Sequence, residues 1–463
     1  MGSDTAHRTN RVLVVSYCYL PSETSAALQT VALVRMLPQE GWVPLVLTVA
    51  PKWQYLPTNS DVPGENVGVI RVSHWRPLAG LERDPLGKAQ SANEKCDPKI
   101  SMATQQAGLD SKTEVRRGGR FAAELRSILA GVYRNLRPTD RDFLFPLFAV
   151  PKGYRASRER LPAAIYSIGK PFASLVAGQM LAIVLNRPHV IEFHDPWTLS
   201  PSYNGHGLAA RIERGIERWL VTNARAVIAK TEPELHFFQT QYPHSHAAFF
   251  TVPCGFDETR MPDPNTVRPP RSNSDGIVRI VHSGALSERR SPVGFLIALK
   301  KLLEDSPALV DKLKVIFVGR YGVFDGRTLP EWCGRLSLAR TIEIKGWLTR
   351  EDLIDVMSDA DAFVVFPDYW HQIPAKIYEY LWFGRRILVV CEEGSESAKL
   401  VKSHKRGILA LRSDQDSIER GLSTTIEQCL AGPPFEPGDP GLLAYSAKGR
   451  AQAVSQILNL ISR

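Results

Sequence analysis

The feature that most restricts the fold of this chain is an alternation that runs through it twice. Short runs rich in Val, Ile and Leu at 12–15, 43–49, 67–72, 163–166, 190–193, 226–229 and 249–252 are separated by stretches of helical period at 28–41, 172–185, 208–223 and 234–242. Runs without an apolar/polar alternation suit strands buried on both faces, and helices between them supply the crossovers that parallel strands need. A connection rich in Pro, Asn, Ser and Asp at 261–276 interrupts the pattern. It then restarts with strands at 278–282, 314–318, 341–345, 362–366 and 387–390, and helices from the 283–291 loop to 305, near 330–338 and at 350–358. A further helix runs from the 413–417 stretch to Leu430, and a final one spans 442–461. The expected fold class is therefore α/β, with two Rossmann-like doubly wound parallel sheets in series. Residues 1–262 form the first domain, 263–440 the second, and 441–463 a terminal helix that can cross back to the first.

A chain of 463 residues is too long for one core. Its net charge of +9 and pI near 9.2 favour anionic partners: nucleic acid, an anionic lipid surface or a phosphorylated substrate. Zinc-finger spacing, nucleic-acid motifs and long basic blocks are missing, so no nucleic-acid partner is expected. The six cysteines, at 18, 96, 254, 333, 391 and 429, contain no CxxC and read as reduced thiols of a cytoplasmic protein. The opening MGSDTAHRTN has no apolar core of a secretory signal, and Ala6 stands where a myristoylation signal needs Ser or Thr. The longest apolar run, 172–185, falls short of the roughly 20 residues that span a bilayer. Work at a membrane is thus expected to be peripheral.

Residues 81–119 are polar and without period, and read as a disordered insertion. Beyond them Phe121, Leu125, Ile128, Leu129, Val132 and Leu136 share one helical face, with Arg120, Arg126, Arg134 and Arg137 on the rest. This basic amphipathic helix at 120–137 either packs on the core with a solvated back or rests on anionic lipid.

Chemistry concentrates in FPDYWHQIPAKIYEYLWFGRRILVV, residues 366–390. A strand leads into a loop containing His371, and Pro374 opens a short helix on which Lys376 and Glu379 share a face near the N-terminus. An ammonium, a carboxylate and a helix end suit a nucleoside diphosphate and its ribose; a solvated Glu–Lys pair is the plainer alternative. Arg289 and Arg290, in the first loop of the second half, suit bidentate phosphate contact or simple solvation. In the first half, His194 and Asp195 follow a strand, at the rim where such sheets hold ligands. They can orient a sugar hydroxyl, handle a proton or cap a loop. Ser22, Thr24 and Ser25 precede a helix in a loop without GxGxxG, a weak phosphate or sugar contact. Asp359-Ala360-Asp361 has the letters of a metal-binding DxD but precedes its strand, so it reads as a helix-end feature and no obligatory metal or other cofactor is expected.

Several stretches together resemble the family 4 nucleotide-sugar glycosyltransferases of the GT-B fold: YLPSETSAALQTVALVRMLPQEGW, YSIGKPFASLVAG, EFHDPW, AVIAKTEPE, VPCGFDE, VHSGALSERRSP, VIFVGR, IKGWLTREDLIDVMSDADAFVVF and IPAKIYEYLWFGRRIL. The last looks like the Pro-Ser-Lys version of the donor-site helix, here Pro374-Ala375-Lys376. The resemblance implies that Glu379 holds the donor ribose, that Lys376 with Arg289 or Arg290 neutralises the diphosphate, and that Gly346 and Trp347 lie beside the nucleobase. It also implies that His194 and Asp195 face the transferred sugar or acceptor. His371 stands eight positions before Glu379, where the wider family often has Glu; Cys254 replaces a common Asn, and His194 an Arg often found before Asp-Pro-Trp. The implied reaction is retaining transfer from a nucleoside diphosphate sugar to a hydroxyl, as in polysaccharide or lipid-linked glycan synthesis, with a polyprenyl-diphosphate-linked glycan a candidate acceptor at the inner face of the cell membrane. An epimerase on the same fold and a catalytically silent glycan-binding or scaffold module are the rivals.

Overall fold

The computed structural model of the chain describes residues 10–54, 67–73, 140, 142–270, 275–432 and 435–462. The insertion expected at 81–119 and the basic helix expected at 120–137 lie outside these residues. Among the described residues, the first half forms a parallel sheet of β1 (Asn10–Ser16), β2 (Trp42–Val49), β3 (Gly68–Val72), β4 (Ala164–Gly169), β5 (His189–Phe193), β6 (Ala226–Ala229) and β7 (Ala248–Thr251), in the order β3-β2-β1-β4-β5-β6-β7. Helices α1 (Ser25–Met36), α2 (Phe145–Ser157), α3 (Ala173–Leu185), α4 (Gly207–Asn223) and α5 (Glu232–Gln241) make the connections.

The second half pairs β8 (Val278–Ser283), β9 (Leu313–Val318), β12 (Ile342–Ile344), β13 (Ala362–Val365), β14 (Arg386–Cys391) and β15 (Gly407–Leu411) in parallel, ordered β12-β9-β8-β13-β14-β15; β10 (Val323–Phe324) and β11 (Arg327–Thr328) form a separate antiparallel ribbon. Its helices are α6 (Val293–Asp305), α7 (Leu329–Arg335), α8 (Arg350–Ser358), α9 (Lys376–Trp382), α10 (Glu396–Ser403) and α11 (Gln415–Leu430). The fold is thus two Rossmann-like α/β lobes, each with buried strands between helical layers. No described helix is long and apolar enough to cross a membrane.

Local chemistry explains where elements begin. Thr24 caps α1 by accepting from the Ala27 N–H (3.3 Å), Thr231 caps α5 from Glu234, and Thr349 caps α8 from Asp352. Asp359 closes α8, while Asp361 accepts from the Arg279 N–H at 2.7 Å and so ties α8 to β8. Two expected boundaries move. Pro374 does not open α9, because the Pro374 and Ala375 carbonyls accept from Ile377 and Tyr378 in tight i→i+3 turns and the α-helix starts at Lys376. The last helix, α12 (Ala447–Ile461), begins five residues later than expected because Pro440–Tyr445 forms a 3-10 turn and the Ser446 hydroxyl caps it from Gly449 (3.0 Å). Helix α2 was not legible because Pro146 and Pro151 break its pattern, nor was β15, a half-exposed edge strand.

Helix α12 belongs to the core of the first lobe. Ala447, Ala451, Val454, Ile457, Leu458 and Ile461 pack with Val31 and Leu33 of α1 and Val12 and Val14 of β1. The chain that delivers it grazes 254–256: the Phe256 N–H donates to the Tyr445 carbonyl at 3.0 Å, and a Cβ on Gly255, whose φ is +65°, would sit 2.0 Å from the same oxygen. Gly255 is the residue that permits this crossing. The connecting segment also packs on the second lobe, with Phe256, Met261 and Val267 beside Trp382, whose indole donates to the Pro262 carbonyl (3.0 Å).

Leu458 is fully buried, so Leu458→Ala is expected to cost about 3 kcal/mol. Hydrogen exchange checks which lobe depends on it: protection should fall in β1 and stay unchanged in β8.

Candidate functional site

Sheet order reverses direction between β1 and β4 in the first lobe and between β8 and β13 in the second, and these switch points open crevices at the carboxyl ends of the strands. In the second lobe the crevice is floored by Gly284, directly after β8. A Cβ there would lie 2.5 Å from the Lys376 Nζ, so the ammonium rests on bare backbone (φ +111°). Burial, helped by the nearby Arg290 charge, lowers the Lys376 pKa to about 7, against the opposing pull of Glu379 and Asp368. Arg290 Nη2 donates to Asp368 Oδ2 at 2.6 Å, which aims the guanidinium along the loop after β13. The Arg289 guanidinium lies over the Tyr369 ring, 4.9 Å from its centroid, and the Arg289 carbonyl accepts from Arg412 at 3.0 Å. Arg290, rather than Arg289, is thus the arginine that shares Lys376's surroundings.

Glu379 Oε2 accepts from the Nη1 of Arg350 at 3.2 Å, with its Oε1 in ion contact at 3.1 Å, and Arg350 also donates to the Arg260 carbonyl. Gly346 follows β12 with φ +64°, and its carbonyl accepts from Gly319 at 2.6 Å. Next to it Trp347 is 59% exposed, with the Arg320 guanidinium 5.0 Å from its ring centre. Trp347 and Lys376 stand on the same carboxyl edge, with β9 and β8 between their strands. Helix α9 has only seven residues, so the pull on an anion comes chiefly from side-chain cations rather than from the helix end.

In the first lobe Ser22, Thr24 and Ser25 fall in the capping turn of α1: Ser22 and Thr24 share a hydrogen bond (3.1 Å), and Ser25 accepts from Gln29 at 3.3 Å. His194 and Asp195 follow β5. His194 Nε2 lies 3.2 Å from the buried Glu192 carboxylate, and burial, with the Lys230 charge, lowers its pKa. Asp195 turns toward the other lobe, accepting from Gln372 at 2.9 Å with Lys170 Nζ 3.7 Å away.

The two carboxyl edges meet at this point. Thr231 donates to the His371 carbonyl (2.8 Å), and the His371 Nδ1 lies 3.2 Å from Glu234 Oε1. His371 is wholly buried between Tyr369 and Phe237. Burial raises the Glu234 pKa and the His371 contact moderates it. His371 therefore joins the lobes instead of standing beside Lys376, and Pro374 precedes the helix, its carbonyl accepting from the Ile377 N–H at 3.0 Å. Sequence reasoning passed over Gly284, Asp368, Gln372, Arg350, Lys230, Thr231 and Glu234. Lys230, Thr231 and Glu234 are spread over five residues of AVIAKTEPE, a post-strand run of polar residues that was a usable signal. Another cavity, of about 540 Å³, is lined by His404, Arg406, Glu436 and Asp439 at the amino end of β15, the opposite edge of the sheet. Among the described residues no group of three or more His, Cys, Asp or Glu is arranged to hold a metal ion.

Comparison with known proteins agrees with this two-lobe arrangement. Residues 107–260 match the model "Glycosyltransferase Family 4", and residues 268–429 match "Glycosyl transferases group 1". No curated protein sequence matches the chain. Among solved structures it is similar to a sucrose-phosphate synthase from Thermosynechococcus elongatus (14% identity, TM-score 0.55, covering 98% of this chain and 96% of that one). It is also similar to a trehalose 6-phosphate synthase from Burkholderia multivorans (12%, TM-score 0.58, 98% of each) and to Anabaena HepE in complex with UDP-glucose (16%, TM-score 0.50, 98% and 97%). Those likenesses bear on the fold, and the two family models on the activity. The chain belongs to the family 4 type of GT-B glycosyltransferases.

Proposed function

We propose that this enzyme transfers a glycosyl group from a nucleoside diphosphate sugar to a hydroxyl, with retention at the anomeric carbon. The observation that carries the reading is the Lys376 ammonium, held against the Gly284 backbone beside Arg290 in the β8/β13 crevice with its pKa near 7. Two partly buried cations, one of them paired with an aspartate, form a site short of negative charge, and a diphosphate supplies it. As the glycosidic bond breaks, charge builds on the departing diphosphate, so Lys376 and Arg290, with Arg289 at the rim, act most strongly late in the reaction. Glu379 takes the donor ribose after yielding part of its pairing with Arg350. Gly346 and Trp347 flank the base, and Arg320 on the Trp347 face makes that indole half of a stacking clamp. His194 and Asp195 face the transferred sugar or the acceptor, with Ser22, Thr24 and Ser25 on the opposite wall and His371 and Pro374 shaping the donor loop. These side-chain cations serve the role that a metal ion serves in other transferases.

For the acceptor we propose a polyprenyl-diphosphate-linked glycan met at the inner face of the cell membrane, which makes the protein cytoplasmic and peripheral. The net charge of +9 supports this, as do Phe143, Leu147, Phe148, Ile183 and Val184, large apolar residues exposed on or just before the adjoining helices α2 and α3.

Incubation with a panel of labelled nucleotide sugars and a polyprenyl-diphosphate glycan should yield one α- or β-linked product of the donor's own anomeric configuration; no transfer with any donor, or an inverted product, overturns the reading. Lys376→Met should lower kcat by roughly 100-fold or more while changing donor Kd by less than about tenfold. Equal losses in both are the contrary result. Because Lys376 titrates near 7 in the free protein and the diphosphate favours its charged form, donor affinity should be greatest below pH 7 and weaken above it, levelling off at a total loss of less than about tenfold, the limit set by the uncharged Lys376→Met side chain. Calorimetry across pH 6 to 9 checks the slope, which Lys376→Met should flatten. Leu147→Asp combined with Ile183→Asp should reduce sedimentation with phosphatidylglycerol vesicles and leave transfer to a soluble acceptor analogue intact.

A further inference from the structure

A buried charge cluster lies behind His194 that no step of the transfer itself requires. Glu192, fully buried at the end of β5, receives hydrogen bonds from three side chains, and a fourth, His194, stands close by with its Nε2 making no other hydrogen bond. Its Oε1 accepts from Lys230, which follows β6, and from the Arg450 Nη2 of α12 at 2.5 Å; its Oε2 accepts from the Tyr166 hydroxyl of β4. His194 Nε2 lies 3.2 Å from the same Oε1. Arg450 is anchored in turn by donating to the Gln29 carbonyl of α1 at 3.0 Å. The Cys254 thiol, its pKa raised by burial, and the Glu234 carboxylate, which accepts from the Lys230 backbone N–H at 3.2 Å, also border this cluster.

Two cations and one carboxylate leave the cluster with one positive charge in excess, in a setting that exposes 5% or less of Lys230 and Arg450. Burial alone would push the Glu192 carboxyl up, but Arg450 and Lys230 more than offset it and keep it ionised. A protonated imidazole would add a second excess charge to a dry site, and burial together with Lys230 and Arg450 accordingly disfavours it. A neutral imidazole carries one proton, and the nitrogen that faces a carboxylate acceptor is where that proton is stable.

We propose that Glu192 is a positioning residue: fixed by Lys230, Arg450 and Tyr166, it holds His194 as a neutral imidazole protonated on Nε2, so that Nδ1 accepts a hydrogen bond from a sugar hydroxyl in the cleft. His194 then orients its partner and does not act as a proton donor. The consequence for the C-terminal helix is that α12 contributes Arg450 to the alignment of the acceptor-lobe site as well as apolar side chains to the core. The use made of Nδ1 rests on the glycosyl-transfer reading, whereas the tautomer does not, and the two can fail separately.

The test is nitrogen NMR of the full chain with 15N-labelled histidine, the His194 signals being identified by their loss in His194→Gln. Expected are a protonated Nε2 and an unprotonated Nδ1, still mostly neutral at pH 6.5, where a free imidazole is half protonated. An Nδ1–H tautomer or an imidazolium at that pH overturns the proposal without any substrate being present. In Arg450→Gln one facing cation is gone, and the His194 midpoint should move up by about one pH unit. The ratio of transfer rate at pH 6 to that at pH 8 should then fall several-fold below the unsubstituted enzyme's; an unmoved midpoint in a folded variant counts against the assignment. Glu192→Gln, if folded by circular dichroism, should show mixed tautomers and a lower kcat at little-changed donor Kd, and an unaltered tautomer sinks the role given to Glu192. Should that variant fail to fold, the unsubstituted protein's tautomer decides. A correct tautomer in a protein that transfers no sugar would leave the positioning intact and remove the function proposed for it.

Discussion

Parallel pairing is the constraint on which the rest depends. It sends every strand of a sheet to the same edge, so each lobe gathers its post-strand loops on one side, and the two gathered edges touch. Thr231, Glu234 and Asp195 come from loops or helix starts after β6 and β5; His371 and Gln372 come from the loop after β13. Only four residues separate His371 from Lys376, so the segment that joins the lobes is also the one that carries the crevice ammonium. A change in lobe spacing therefore pulls on the Lys376 loop directly. Each hydrogen bond named between the two rims contributes only about 1 kcal/mol, so the rims themselves are held lightly enough to part for substrate.

Much of this architecture was legible because a strand buried on both faces must be written in Val, Ile and Leu, as Val12 to Val15 and Ile387 to Val390 are. What escaped reading had a physical reason in each case. Pro151 sits inside α2, where the chain tolerates it, so the helix lacks the pattern that announces one. Strand β15 is an edge, half of it open to solvent, and has no need of a continuous apolar run. At the site, single residues were legible and their pairings were not. Lys376 and Glu379 stood out as an ammonium and a carboxylate on one face, yet Glu379 pairs with Arg350, 29 positions away in sequence, and Lys376 shares its space with Arg290. Such partners are set by sheet order, which places β8 beside β13, and no local spacing encodes that. His371 shows the same limit: its departure from Glu was visible, while its burial against Glu234 depends on how the lobes face each other.

The distribution of charge ties the two lobes to one anionic ligand. Behind His194 one carboxylate faces Lys230 and Arg450, and in the opposite crevice one aspartate is paired with Arg290 beside Lys376. Each cluster thus carries one cation more than its anions cancel. Excess positive charge in a half-enclosed cleft costs folding free energy, because desolvated like charges repel. The depressed Lys376 pKa is that cost expressed as a readiness to give up a proton. A molecule bringing two negative charges removes the cost in the second lobe, and with it the reason for Lys376 to deprotonate. The first lobe has a different remedy. Its excess is met by keeping His194 neutral, which turns that side of the cleft into hydrogen-bond acceptors suited to hydroxyls. In the proposed reaction, phosphate on one wall and sugar hydroxyls on the other is the division of labour these two electrostatic solutions would produce, and it would follow from where the carboxylates stand rather than from any single residue at the rim.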